Sequence, residues 1–309
     1  MNFLEKLRIV LQSLYDEKSR FVVKNYLGLT STMEDEEYLK LQFEIYVGRK
    51  LDLVNPKTFN EKLQWLKLYD RKDLYTTMVD KHLVKEYVSK KIGAEYVIPT
   101  IGVWKNPDDI DFKSLPDKFV LKCNHNSGTG MFICKDKQKI NKALVIQELK
   151  KGLKQDYFLF GREWPYKNVD RVVIAEEFLE SKEGEDLEDY KLQCFNGKVD
   201  NILVCCGRFS KQGVRYHYFS PNWDYLPYSP YEDIDASTFT LPKPKNISLM
   251  ISIAEKLSKG IPELRVDLYN IDGKIYFGEL TFFSQSGWDT DITYEADMIM
   301  GDKLILPQK

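Results

Sequence analysis

The spacing of apolar residues along the chain changes near Gly93. Before that residue, apolar positions recur every three or four residues, and residues 1–50 are predicted to be mainly helical. The turn at residues 55–58, Asn-Pro-Lys-Thr, leads into a further helix, for which Thr58 or Asn60 would supply the N-terminal cap. The first third of the chain is therefore expected to be a helical region.

Three more helices follow from the same period. One is predicted to begin at Asp80 and to end at Gly93, which places Lys81 in its first turn. The other two cover residues 141–153 and 246–259. The buried stripe of the last helix is predicted to contain Leu249, Met250, Ile253, Ala254 and Leu257.

After Gly93, short apolar runs bounded by turn residues predict β-strands. An Asn196-Gly197 pair between two such runs is a strong hairpin signal. The predicted strands are Tyr96–Ile98, Phe119–Cys123, Met131–Cys134, a run within Arg171–Glu180, Tyr190–Phe195 and Lys198–Val204.

A last predicted hairpin spans residues 265–287. Its turn sequence, Asn-Ile-Asp-Gly, favours a three-residue loop at 271–273. In that register Arg265 faces Glu279, and Asp267 lies one diagonal step from Glu279, within roughly 8 Å. A two-residue turn would instead place the two carboxylates on opposite faces of the sheet. With the longer loop, one face carries Arg265, Asp267, Glu279 and Thr281.

Oxygen ligands on rigid strands suit a hard cation such as Mg²⁺, which keeps several waters and shares its other ligands with phosphates. Asp267 and Glu279 therefore form a candidate metal site. The alternative is an ordinary solvated hairpin face, and the hairpin alone does not decide between the two.

A second candidate site follows the strand at residues 119–123. Asn124–Gly130, Asn-His-Asn-Ser-Gly-Thr-Gly, is small and polar, so that its backbone N–H groups can form a concavity for a phosphate. Lys122 lies inside the strand, where a charge needs a partner. A plain hairpin turn with an edge lysine explains the same residues. No helix pattern follows the loop, so that it is not a helix-opening phosphate loop.

Composition narrows the function classes. The chain has 309 residues, with 45 Lys and Arg against 47 Asp and Glu, so that its net charge is −2. This balance does not support generic nucleic-acid binding through a strong basic field, and it leaves only a local basic patch open. No apolar run approaches the length of a membrane span, and the charged N-terminal segment differs from a signal peptide. Five cysteines without CxxC spacing favour reduced thiols in the cytoplasm.

Other chemistries leave no signature. The three histidines lack metal-ligand spacing, and no nucleophile elbow is present. A basic and aromatic segment, residues 208–228, offers Arg208, Lys211 and Arg215 as contacts for an anionic or sugar substrate. A surface loop without function explains that segment equally well.

Taken in order, these motifs resemble the TupA-like ATP-grasp family of bacterial surface-polysaccharide and teichuronopeptide biosynthesis. The resemblance runs from about Asn55 to the C-terminus. It is carried by NPKTFNEKLQWLKLYD, VDKHLVKEYV, FVLKCNHNSGTG, AEEFLE, DYKLQCFNGKV and RVDLYNIDGKIYFGELTFFSQSG. The resemblance implies an α+β ATP-grasp fold: a mainly helical region at 1–95, a lid subdomain at 96–178 and a core subdomain at 179–309.

Position by position, the resemblance also implies roles in binding ATP and Mg²⁺. Lys81 and Lys122 match the lysines that hold the α- and β-phosphates. The phosphate-covering loop corresponds to Asn126, Ser127, Gly128, Thr129 and Gly130. The adenine-reading hinge corresponds to Glu176, Glu177, Phe178 and Leu179, and Asp189 matches the acid that reaches the ribose. Asp267 and Glu279 match the metal ligands, with Arg265 beside the reacting phosphoryl group.

One position departs from the family pattern, because Thr281 stands where the usual Glu-x-Asn motif has asparagine. A neutral hydroxyl is a weaker ligand than an amide carbonyl, which leaves one metal ion better supported than two.

The implied activity is a carboxylate–amine ligase that works through an acyl-phosphate and joins an amine or amino acid to a sugar carboxylate. The alternatives are a glycosyltransferase and a non-catalytic nucleotide-binding subunit of an assembly complex. No nucleic-acid or membrane-spanning role is expected.

Overall fold

The computed structural model describes residues 14–180, 189–206, 215–230 and 241–308. Two of the predicted substrate contacts, Arg208 and Lys211, lie outside these residues. Within the described ranges, no helix is both long and apolar enough to cross a bilayer.

Helices make up the first part of the described chain, as predicted. Thr58 caps the third of them through a capping box, in which its hydroxyl accepts from the backbone of Glu61 while the Glu61 carboxylate accepts from the backbone of Thr58. Of the two candidate caps, Thr58 is thus the correct one. The helices are α1 (Glu17–Tyr26), α2 (Asp35–Val47), α3 (Phe59–Tyr69), α4 (Asp73–Val79) and α5 (Val84–Ile92).

A four-stranded antiparallel sheet follows, in the order β1-β4-β2-β3. Its apolar face packs against helix α6 around Leu121, Val145 and Leu149. Helix α7 and a 3₁₀ turn at Trp164–Tyr166 come before the strand β4. The elements are β1 (Thr100–Trp104), β2 (Phe119–Cys123), β3 (Met131–Cys134), α6 (Lys142–Lys154), α7 (Tyr157–Gly161) and β4 (Val173–Glu177).

The second sheet has six antiparallel strands in the order β10-β9-β5-β6-β7-β8. Helix α8 packs on it and buries Met250 and Leu257 against Leu192, Leu264 and Val266. These elements are β5 (Asp189–Phe195), β6 (Lys198–Cys206), β7 (Arg215–Phe219), β8 (Tyr225–Leu226), α8 (Ile247–Ser258), β9 (Glu263–Ile271), β10 (Lys274–Thr281) and α9 (Tyr294–Lys303).

Several predicted elements differ from the structure. Residues 96–98 are not a strand, because a 3₁₀ turn covers Ala94–Tyr96 and the strand β1 begins four residues later than predicted. Lys81 precedes its helix, since α5 begins at Val84. Leu249 is 45% exposed, so that it lies outside the buried stripe of α8.

The turn of the last hairpin was also predicted wrongly. Lys274 pairs with Ile271, so that the loop has two residues, Asp272 and Gly273, both with positive φ. A bulge at Gly278 then shifts the register by one residue and sets Glu279 directly opposite Asp267. Arg265 pairs with Thr281 and not with Glu279 as predicted. The two carboxylates do share one face, as predicted, but they are directly opposite each other and not one diagonal step apart.

The four-stranded sheet lies within the predicted 96–178 segment and the six-stranded sheet within 179–309. The exact subdomain boundaries stay a prediction.

Candidate active site

A cleft of about 840 Å³ opens between the two sheets. One wall, which we call the lid wall, comes from the four-stranded sheet at β2 and the loop after it. The other, the core wall, is the polar face of β5, β9 and β10. The cleft collects most of the predicted site residues: Lys81, Lys122, Asn126, Ser127, Gly128, Thr129, Asp189, Arg215, Arg265, Asp267 and Glu279.

Asp267 is the centre of an ion network on the core wall. Two nitrogens of Arg265 donate to its carboxylate, at 2.7 Å from Nε and 2.9 Å from Nη2. Lys191 Nζ lies 2.5 Å from the same carboxylate and 2.7 Å from Asp189. Burial alone would raise the pKa of Asp267, but Arg265 and Lys191 outweigh burial and hold it below its usual value. The Asp267 carboxylate is therefore held in its ionised form.

Glu279 and Thr281 complete the polar face of the hairpin. Arg265 Nη2 lies 3.1 Å from the Thr281 hydroxyl and 3.5 Å from Glu279. Lys81 Nζ approaches Glu279 from the opposite wall, at 3.5 Å. The hairpin thus presents two carboxylates, Asp267 and Glu279, to the cleft beside the cations Lys81, Lys191 and Arg265.

This set of donors fits one Mg²⁺ better than two. Asp267 and Glu279 are opposite each other in register, and hard oxygen donors suit the ion. In the described part of the chain, no group of three or more His, Cys, Asp or Glu side chains has metal-binding geometry. A magnesium ion here would therefore need phosphate and water for its remaining ligands.

On the lid wall, Glu176 is buried between two lysines. Lys122 Nζ lies 2.5 Å from one carboxylate oxygen and Lys85 Nζ lies 2.7 Å from the other. Burial by itself raises the pKa of Glu176, yet the two lysines together lower it below its usual value. Glu176 is therefore the partner that a lysine inside strand β2 was predicted to require.

The loop after β2 is anchored at its start and exposed at its tip. Asn126 donates to the backbone carbonyl of Gly152 at 3.1 Å, and its own carbonyl accepts from Lys81 Nζ at 2.9 Å. Ser127 and Gly128 are exposed at the cleft. Gly130 instead packs against Cys123 and Gly152, where a Cβ would approach the Cys123 sulfur at 2.6 Å. The tip can meet a ligand, while Gly130 is a packing position.

The family model for TupA-like ATP-grasp proteins matches residues 61–305, which is most of the chain. The chain belongs to the TupA-like ATP-grasp family. The predicted family, the α+β class and the ATP-grasp fold are confirmed by this match. No curated protein matches the chain.

Solved structures with a related fold are distant in sequence. A D-alanine–D-alanine ligase from Helicobacter pylori aligns with 80% of this chain and 69% of its own, at 15% identity and a TM-score of 0.42. The Bacillus anthracis D-alanine–D-alanine ligase complexed with ATP aligns with 67% of this chain at 17% identity and a TM-score of 0.39. This TupA-like chain spans about half the length of that ligase, 54%.

The ATP-grasp ligase PsnB, complexed with a precursor variant, Mg and ADP, aligns with 79% of this chain and 64% of its own. The identity is 10% and the TM-score 0.43. At these identities the likeness concerns the fold alone.

Some predicted nucleotide contacts of this TupA-like protein, and one predicted metal ligand, do not line the cleft. Glu176 is buried in its lysine pair, and Glu177 ends β4 with its backbone N–H bonded to Pro99. Phe178 and Leu179 follow β4, half-buried. Thr281 lines an adjoining cavity instead. The roles given to these residues stay predictions.

Sequence reasoning missed Lys191 and Lys85. Lys191 could have been found from strand alternation, because it lies two residues after Asp189 on β5 and therefore on the same face of the sheet. It is also the register partner of Asp267 on the neighbouring strand β9. Lys85 gives no comparable signal, since its neighbours Glu176 and Thr100 are distant in sequence.

Proposed function

We propose that this protein is an ATP- and Mg²⁺-dependent carboxylate–amine ligase that works through an acyl-phosphate. The observation that carries the proposal is the cleft, because one cavity brings together Lys81, Lys122, the polar loop tip and the Asp267–Glu279 pair. Membership of the TupA-like ATP-grasp family supports the same activity.

In the proposed reaction, a carboxylate oxygen bonds to the γ-phosphorus of ATP, and ADP leaves. The amine nitrogen then bonds to the acyl carbon, and the C–O bond to phosphate breaks with its electrons on phosphate. An ammonium group gives one proton to solvent before this attack, and the attacking nitrogen loses a second proton to the departing phosphate as the amide forms. Such chemistry depends on positioning and charge neutralisation, with little covalent work by the protein.

The cations and the polar loop would perform the positioning. Lys81 and Lys122 approach the cleft from the lid side, where they are placed to neutralise phosphate oxygens. The exposed tip, Ser127–Thr129, would cover the phosphates and exclude water from the acyl-phosphate. Backbone groups of Glu177 and Leu179 would meet adenine, and Asp189 would meet the ribose.

Asp267 and Glu279 would hold Mg²⁺, with Thr281 as a weaker or water-mediated contact. When bound, the ion supplies positive charge that neutralises the phosphates. Arg265 lies between Asp267 and Thr281, where it can stabilise the transferring phosphoryl group.

For the substrate, we propose a sugar carboxylate that is joined to an amine or amino acid in cytoplasmic steps of capsule or cell-surface polysaccharide synthesis. Arg215, Tyr216 and Tyr218 line the cleft and offer a cation and aromatic rings for such a glycan. The family resemblance supports this substrate class.

The test is ATP-dependent ADP release with a panel of uronic acids and amines, with amide products identified by mass spectrometry. Hydroxylamine in place of the amine should trap the acyl-phosphate as a hydroxamate. Turnover of UDP-sugars without ADP release would identify a glycosyltransferase. Tight ATP binding without turnover of any pair would identify a nucleotide-binding subunit.

Variants test the assigned roles. Lys122→Met should weaken ATP binding at least tenfold, because a charge-assisted contact worth about 1.5–3 kcal/mol is lost. Asp267→Ala and Glu279→Ala should abolish the Mg²⁺ dependence of nucleotide binding. Asp109→Asn, which changes an exposed acid between β1 and β2, should alter neither the nucleotide affinity nor its Mg²⁺ dependence. Unchanged Mg²⁺ dependence in both alanine variants would show that the metal assignment is wrong.

A further inference from the structure

A second cavity, of about 400 Å³, adjoins the cleft. Both cavities are lined by Lys81, Arg265, Glu279, Asp289 and Asp291, so that they meet at the candidate metal and phosphoryl site. The second cavity is not lined by Lys122, Thr129 or Asp189, which belong to the cleft. The second cavity thus lies at the end where the reacting phosphoryl group is proposed, and away from the predicted ribose and β-phosphate contacts.

Aromatic side chains form the walls of this cavity. Tyr46 stacks on Trp288, with ring centroids 5.3 Å apart, and Phe160 meets Trp288 edge-on at 6.3 Å. Tyr46 and Phe160, which both contact Trp288, are 48% and 52% exposed, so that this wall of the cavity presents two large rings to solvent. Tyr157 and Tyr166 line the same cavity, with ring centroids 4.7 Å apart. These walls suit a ring-shaped or apolar ligand body.

The cavity also contains two acids, Asp289 and Asp291, while its cations, Lys81 and Arg265, lie where it meets the cleft. Neither Asp289 nor Asp291 forms an ion pair with any residue that the structure describes, although both are partly buried. The Asp289 carboxylate accepts from the backbone of Asp291 at 2.9 Å, and Asp291 accepts from Gln285 at 3.4 Å. Carboxylates without a cation beside aromatic rings favour an ammonium group.

A third observation comes from Trp288. It is 7% exposed and lines the cavity, yet its indole N–H has no hydrogen-bond partner in the described part of the protein. Buried donors are normally paired, so that a ligand acceptor or a water at this wall would satisfy it.

We propose that this cavity binds the amine substrate, a primary amine on a sugar-like ring, with its ammonium group on Asp289 and Asp291 and its ring beside Tyr46 and Phe160. The inference rests on the proposed ligase function and adds the class and location of the second substrate. The ammonium would lie next to Arg265 and Glu279, where the acyl-phosphate is formed.

The test uses D-glucosamine and D-glucose, which share a ring and differ in the ammonium group. Binding to the full chain is measured by calorimetry or saturation-transfer NMR with MgADP present. We expect glucosamine to bind about tenfold more tightly than glucose, the value of one charge-assisted contact. Asp291→Asn and Asp289→Asn should remove that preference and leave ADP affinity unchanged.

Phe160→Ala should weaken the binding of both sugars alike, because the Phe160 ring would contact the sugar ring and not the ammonium group. Asp109→Asn, an exposed acid on the lid, is the matched control and should bind like the wild type. The proposal is overturned if glucosamine binds no better than glucose, if the preference survives both Asp variants, or if D-glucuronate is preferred. Normal glucosamine preference without ADP release for any carboxylate would refute the ligase function and leave this binding site standing.

Discussion

Replacing Lys67 by methionine is expected to destabilise the protein by about 3–5 kcal/mol, although Lys67 touches neither cavity. Lys67 is fully buried, and its ammonium group donates to the carbonyls of Gly161 and Ser286, both at 2.7 Å. It also lies 4.5 Å from the centre of the Trp288 ring. One side chain therefore ties helix α7 to the segment that borders both cavities.

The expected magnitude follows from these contacts. Two charge-assisted hydrogen bonds contribute roughly 1.5–3 kcal/mol each. Their loss also removes a positive charge that acts to lower the pKa of the buried Glu163. The methionine side chain recovers part of this lost stability, because it avoids the unfavourable burial of an ammonium group. That burial lowers the pKa of Lys67 to about 7. The net loss is therefore somewhat below the sum of the two hydrogen bonds, at about 3–5 kcal/mol.

Urea unfolding followed by circular dichroism measures the loss. Lys40→Met, which breaks an exposed ion pair with Glu36, is the control and should cost less than about 1 kcal/mol. Glu163→Gln should also destabilise the protein, but the double variant should cost less than the two single costs together. A Lys67→Met cost below about 1 kcal/mol, or strict additivity with Glu163→Gln, would refute the reasoning.

Two further predictions concern the loop and the second cavity. Gly130→Ala should destabilise the protein by about 2–4 kcal/mol in thermal unfolding, because the new Cβ meets Cys123 and Gly152 at a positive φ. Gly128→Ala, with a similar φ and open space, should cost only about 1 kcal/mol, and equal costs would contradict the packing argument. Burial raises the pKa of Asp289 to about 6, so that its ionisation opposes folding as pH rises from about 4 to 6. Asp289→Asn should therefore gain up to about 3 kcal/mol relative to the wild type across that interval in urea titrations, and parallel pH profiles would disprove it.

The part of the site that was predictable depends on local patterns. Strand β2 and its loop follow from an apolar run that ends in small polar residues, and Thr58 follows from its capping sequence. Helix α9 was missed, because its position depends on distant contacts: Asp297 accepts from the backbone of Asn60 and pairs with Arg49. Such contacts have no trace in the spacing of residues 294–303.

The last hairpin shows how a correct conclusion followed from a wrong register. Asp272-Gly273 forms a two-residue turn, which would have separated Asp267 from Glu279 without the bulge at Gly278. A glycine inside a strand is itself a signal for a bulge, and a Cβ at Gly278 would lie 3.1 Å from the Asp267 carbonyl. That signal was available in the sequence.

The charges on the core wall explain why Lys191 belongs to the same site as the predicted metal ligands. A buried carboxylate such as Asp267, 3% exposed, stays ionised only beside positive charge, and Arg265 and Lys191 provide it. In the proposed reaction a divalent cation would provide that charge instead. Because the metal ion would then neutralise Asp267, Arg265 and Lys191 would be available to bind the phosphates that accompany the metal. In the proposed reaction, metal and phosphate binding at this wall would thus be coupled through the partners of Asp267, and Lys191, which shares that carboxylate with Arg265, would be part of the coupling.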